Sequence, residues 1–150
     1  MCIRDSFLRR AVQVYPDKTA VVDGDLRLTY RQLAERVNRL ANALRGLGVT
    51  RGDRVCMLSP NSHFFLESFY ATSRIGAVLV PLNYRLVAAD HAYILGHAGV
   101  RTILADYDHT DVVDAIAGEL PALRDRIVAR DDDADAPEGW LDWNLSLIHI

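Results

Sequence analysis

The chain has 150 residues, 50% of them apolar and 25% charged, with a formal net charge of −3. That is one domain's length with enough apolar side chains for a core, and its slight negative balance favours neither nucleic acid nor an anionic membrane as partner. No apolar run approaches the roughly 20 residues that a membrane helix needs.

Leu8 to Val14 reads as a short helix closed by Tyr15-Pro16-Asp17. Thr19 to Val22 and Leu26 to Leu28 are strand-like runs separated by Asp23-Gly24-Asp25, and Asp-Gly between such runs signals a hairpin. The next helix is announced by Thr29 and Gln32, a capping-box pair. Leu33, Val37, Leu40, Leu44 and Leu47 then recur at spacings of four and three, which lays one apolar stripe along it. Gly46 and Gly48 supply its stop. A strand follows at Arg54 to Leu58, the Pro60-Asn61-Ser62 turn, and a helix over His63 to Ser73 with Phe65 and Phe69 as buried candidates. Ala77 to Val80 reads as a buried strand stopped by Pro81, which has no N–H for a ladder. Ala88 to His97 is helical, Thr102 to Ala105 a strand, Thr110 to Leu120 a helix and Arg126 to Ala129 a strand. Asp131 to Glu138 is acidic and reads as an exposed loop. The alternation of strand and helix predicts an α/β fold, parallel-sheet βαβ units preceded by a β-hairpin.

Two cysteines, Cys2 and Cys56, make no disulfide framework and suit a reducing, cytoplasmic compartment. Met1 to Ser6 lacks the apolar centre of a signal peptide. Both ends, Met-Cys-Ile-Arg-Asp-Ser and Leu-Ser-Leu-Ile-His-Ile, are similar to translated library-adapter sequence. Residues 1–6 and 145–150 are therefore expected to be non-native. Of 17 basic residues, Lys18 alone is lysine, so any lysine-dependent chemistry must use Lys18 or a residue elsewhere.

Few residues offer chemistry of their own. Gly46-Leu47-Gly48 lacks the third glycine of a dinucleotide fingerprint and ends a helix where it should follow a strand. Asp106-Tyr107-Asp108-His109-Thr110 at a strand end resembles the nucleophile motif of haloacid-dehalogenase-like phosphatases, in which Asp106 would attack phosphorus and Asp108 act as acid/base with Mg²⁺. The competing reading is a polar turn that ends the strand and caps the next helix. His91 and His97 lie six apart on different helical faces, so they are no metal pair. Cys56 reads as a small core residue, and no Ser-His-Asp set has a nucleophile elbow. These residues leave open a magnesium-dependent phosphatase or a non-catalytic α/β binding module.

Five segments in order carry a resemblance. They are Pro16-Asp17-Lys18-Thr19-Ala20, Leu28-Thr29-Tyr30-Arg31-Gln32-Leu33, Gly48-Val49 with Gly52-Asp53-Arg54-Val55, Pro60-Asn61-Ser62, and Gly76 to Leu86 (Gly-Ala-Val-Leu-Val-Pro-Leu-Asn-Tyr-Arg-Leu). Together the chain resembles the adenylate-forming, AMP-binding superfamily. Asn83 after Pro81-Leu82 points to its acyl-CoA synthetase branch. Asp90-His91 departs from the pattern, where a Glu and an apolar residue are commoner.

The resemblance implies a two-step ligase. A carboxylic acid, expected to be fatty, attacks the α-phosphate of Mg·ATP to give acyl-AMP and pyrophosphate, and coenzyme A then displaces AMP. In the family the phosphate loop and the catalytic lysine lie beyond the segment matched here. Residues 7–143 are thus expected to be an incomplete N-terminal portion of the large domain, inactive alone. No residue of the chain is expected to be catalytic, to bind ATP, Mg²⁺ or coenzyme A, or to ligate a metal.

Overall fold

The computed structural model describes residues 3–130 and 135–144. Helix α1 spans Ile3–Val14 and is followed by strands β1 (Thr19–Asp23) and β2 (Leu26–Thr29), which pair antiparallel. Then come α2 (Tyr30–Gly46), β3 (Arg54–Leu58), α3 (His63–Ile75), β4 (Val78–Pro81) and α4 (Ala88–Ala98). The remainder is β5 (Thr102–Asp106), α5 (Thr110–Ile116), β6 (Asp125–Ala129) and β7 (Leu141–Asp142). Beside the hairpin stands one five-stranded sheet in the order β4-β3-β5-β6-β7, and every pairing in it is parallel.

Side-chain alternation along the central strands divides the core into two layers, because successive residues of a strand point to opposite faces. Val55 and Met57 of β3, Leu104 of β5 and Ile127 of β6 face one layer together with Leu8, Leu33, Val37, Leu40, Leu44 and Trp143. Cys56, Leu58, Ile103, Ala105 and Val128 face the other, with Leu95, Val113, Ile116 and Trp140. Strands β3, β5 and β6 are thus covered on both faces, as an apolar parallel sheet requires.

Helix α2 starts where the capping box places it. Thr29 Oγ1 accepts from Gln32 N at 3.2 Å, and Gln32 Oε1 accepts from Thr29 N at 2.8 Å. Its stripe Leu33, Val37, Leu40 and Leu44 is buried against the sheet. The link that follows turns on Gly48 and Gly52, with φ of 77° and 88°, where a side chain would strain the backbone. Asp53 closes this turn by accepting from Thr50 N at 2.7 Å and Thr50 Oγ1 at 3.0 Å.

The structure corrects several expectations. The strand after Gly76 runs Val78–Pro81, not Ala77–Val80, and it is not buried: it is a sheet edge, and Val78 is 49% exposed. Pro81 is its last paired residue, opposite Met57, a position where a missing N–H costs no ladder bond. Helix α1 begins five residues before Leu8, and α3 continues past Ser73 to Ile75, where Gly76 turns left-handed at φ 76°. On α3, Phe65 and Phe69 are only half-buried; the buried face is His63, Phe64, Glu67, Ser68, Ala71 and Thr72. Helix α5 stops at Ile116 and tightens into a 3₁₀ turn, Ala117–Glu119. Strand β7 was not expected. Most of the acidic loop and the end at 145–150, with His149, lie outside the described residues.

Candidate functional site

In a parallel sheet every strand delivers its last residue to the same edge. Here β3 is followed by β4 on one side, and the chain then crosses back to place β5 on the other. The carboxyl ends of β3 and β5 therefore flank a point where the strand order reverses, and open α/β sheets form their binding crevices at such points. A crevice of about 300 Å³ opens there. Ser59, Pro60 and Ser62 form one side, Asp106, Tyr107 and Asp108 a second, Ala129 and Arg130 a third, and Asp23 of the hairpin a fourth.

The end of β3 leads into α3, whose first N–H groups point toward this edge. Ser62 accepts from Phe65 N at 3.4 Å. The Asp23 carboxylate accepts from His63 N at 2.8 Å and from the His63 ring, Nδ1, at 2.7 Å. The positive end of α3 is thus filled by a carboxylate of the chain itself, from 40 residues away. Those bonds, first the backbone one and then the ring, hold the Asp23 carboxyl below its ordinary value.

Asp106 and Asp108 sit on the opposite side. Asp106 ends β5, and its Oδ1 accepts from His109 Nδ1 across a 3₁₀ turn, Tyr107–His109. Thr110 Oγ1 donates to Tyr107 O at 2.9 Å. The segment is a polar turn, but neither Asp106 nor Thr110 caps α5 through its side chain. The capping half of that expectation is corrected: His109 takes the Asp106 carboxylate before the helix can. The guanidinium of Arg130 lies 4.4 Å from the Tyr107 ring centre and donates to Asp135 O at 2.8 Å. Three acids against one arginine make the crevice wall net negative.

Other singled-out residues lie apart from the crevice. Lys18 Nζ stands 5.3 Å from the Tyr15 ring centre at the approach to the hairpin. Cys56 is buried in β3, and burial pushes its thiol far above the ordinary range. His91 is buried at the start of α4, with Nε2 3.2 Å from Asn83 O, while His97 stacks on Tyr93. Among the described residues no three His, Cys, Asp or Glu side chains converge as a metal site. Asp106 and Asp108 thus belong to no such cluster among the described residues.

Glu67 was missed altogether. It is 0% exposed on α3, one turn after His63, and its Oε1 accepts from Arg36 Nε of α2 at 2.6 Å. Burial pushes its carboxyl up, against the hydrogen bond and charge of Arg36. The signal was the spacing of Phe64, Ser68, Ala71 and Ile75, a stripe that brings Glu67 inward; the bulk of Phe65 and Phe69 drew attention to the wrong face.

A family model described as AMP-binding enzyme matches residues 8–146. A feruloyl-CoA synthase of Amycolatopsis is 39% identical over 139 residues, covering 87% of this chain and 27% of the relative. The long-chain-fatty-acid–CoA ligase FadD13 of Mycobacterium tuberculosis is 39% identical over 114 residues, 75% of this chain and 23% of the relative. The crystal structure of the anthranilate CoA ligase AuaEII in complex with anthranoyl-AMP superposes with a TM-score of 0.91 at 30% identity, over 96% of this chain and 27% of that one. The chain spans about a quarter of the length of the curated relatives it matches.

Proposed function

The chain belongs to the AMP-binding enzyme family, and we propose that its parent protein is an ATP-dependent acid–CoA ligase to which these residues contribute the first part of the large domain. The parent would join a carboxylic acid to AMP with release of pyrophosphate, then pass the acyl group to the thiol of coenzyme A. The observation that carries this reading is the match over residues 8–146 together with the 0.91 TM-score to a ligase holding an acyl-AMP.

We further propose that this chain holds none of the reaction's cofactors. Charge that builds on the phosphates in adenylation needs donors and cations aimed at it. The crevice offers the reverse, with Asp23, Asp106 and Asp108 on its walls. The N-terminus of α3, the natural anion seat, already holds the Asp23 carboxylate. These residues do not fit a triphosphate and its metal, so no step of the reaction passes through them. Their work is to build the sheet that the remaining domain continues.

As acid we propose a fatty acid, with aryl acids as the competing class, since the relatives carry names of both kinds. The two cysteines support a cytoplasmic setting, and no helix among the described residues is long and apolar enough to cross a membrane. The parent enzyme, incubated with ATP, Mg²⁺, coenzyme A and a panel of fatty and aryl acids, should form acyl-CoA best with a fatty acid. Preference for an aryl acid would replace the fatty-acid assignment, and no thioester from any acid would overturn the ligase reading.

A further inference from the structure

Two exposed surfaces on opposite faces of the sheet take no part in the crevice. On α1, Phe7 is 68% exposed and Val14 45%, although both are large and apolar. They stand two turns apart with Arg10 between them, spacings that put all three on one helical face. Leu8 and Val12, on the other face, enter the core that α1 shares with α2 and α3. Arg9 and Arg10 are both exposed, so α1 presents an apolar ridge with a basic flank.

On the opposite face, α4 and α5 leave between them a groove of about 490 Å³. It is lined by Ala88, Ala89, Ala92 and Tyr93 of α4 and by Ala115 and Ile116 of α5. The alanines keep its floor low, and short side chains at a contact let a second helix approach closely. Glu119 stands at the groove, and Asp111 is exposed one turn before Ala115. Neither helix carries a lysine or an arginine. The groove is therefore apolar with an acidic border, the counterpart of the α1 ridge in form and in charge.

We propose that α1 of one molecule docks through Phe7, Arg10 and Val14 in the α4/α5 groove of a second copy of this chain. The inference does not depend on the ligase reading. An anionic lipid surface would suit the ridge alone; the groove and its acids favour a copy of the chain instead. Ridge and groove lie on opposite sides of one sheet, so no molecule reaches its own groove. One pair also leaves a ridge and a groove unfilled, and such a heterologous contact grows past a pair.

Sedimentation velocity on the full 150-residue chain tests this. One helix in a groove is a contact of the small, transient class, so the chain is loaded up to about 0.5 mM. The average mass should rise with loading and not level at a dimer. Raising salt from about 0.05 M to about 0.5 M should weaken association tenfold or more. Phe7→Asp removes the ridge, and Ala115→Arg blocks the groove with a charge that repels Arg10. Both residues are exposed, so each variant should melt as the original does. Each alone should stay monomeric. Mixed in equal amounts they should form a pair of one each and nothing larger, because the ridge left on one fits the groove left on the other. A chain that stays monomeric at every loading would overturn the proposal. So would variants that associate as the original does, or that fail to pair when mixed. A monomer that binds anionic vesicles, and loses them with Phe7→Asp, would overturn it too and give the ridge to a lipid surface.

Discussion

Glu67 sits in the core with a carboxyl shifted upward, chiefly by desolvation. Its protonated form therefore suits the fold, and its ionised form costs stability. For a group with a raised folded value, the favourable contribution is complete below the unfolded value and is lost as pH rises through the folded one. Glu67→Gln should accordingly leave stability near its original value at pH about 4 and raise it at pH about 8, as urea unfolding at the two values would read. An equal change at both would contradict the assignment. His91 is a second residue whose meaning only the fold reveals. It stands where an apolar residue would be commoner, yet it is buried with Nε2 on the carbonyl of Asn83. That carbonyl also accepts from Leu86 N at 3.1 Å, and the Asn83 side chain accepts from Arg85 N at 3.1 Å. His91 thus pins the exit loop of the Pro81-Leu82-Asn83 segment. Replacing it with alanine should cost about 1–3 kcal/mol, through a lost bond and a small cavity.

At the scale of elements, the caps separate two ways of starting a helix. Helix α2 depends on its own capping box, so Thr29→Ala should cost about 1 kcal/mol in a thermal melt. Helix α3 has both Ser62 and the distant Asp23 at its N-terminus. Ser62→Ala should therefore cost clearly less than Thr29→Ala, and the gap should close in an Asp23→Asn background. Gly76 ends α3 at φ 76°, and a Cβ there would stand 3.1 Å from Arg51 Cγ. Gly76→Ala should destabilise by about 1 kcal/mol or more. The elements that local signals mark were legible in the sequence: the Thr29–Gln32 box, the Asp-Gly hairpin, and the bounds of β3. What depends on distant neighbours was not. The exposure of β4 follows from sheet order, which no stretch of four residues carries. The inward turn of Glu67 and the Asp23 cap on α3 each need a partner dozens of residues away. Aromatic bulk at Phe65 and Phe69 was an unreliable guide because a helix face is set by spacing, not by size.

At the scale of the molecule, the crevice lay beyond the sequence because its four sides come from separate parts of the chain, gathered by the reversal of strand order at β3. The family was legible, since it rests on ordered motifs: the chain carries them from Pro16 to Leu86, and the family model matches residues 8–146. The central proposal is that these residues build the scaffold of a parent ligase and carry none of its chemistry. Pyrophosphate release by the isolated chain tests it most directly, with ATP, Mg²⁺, coenzyme A and both fatty and aryl acids present. The rate should equal that of a control without protein, because the acidic crevice walls and the filled N-terminus of α3 give the triphosphate no seat. Acid-dependent release above that control, abolished by boiling the chain, would contradict the account.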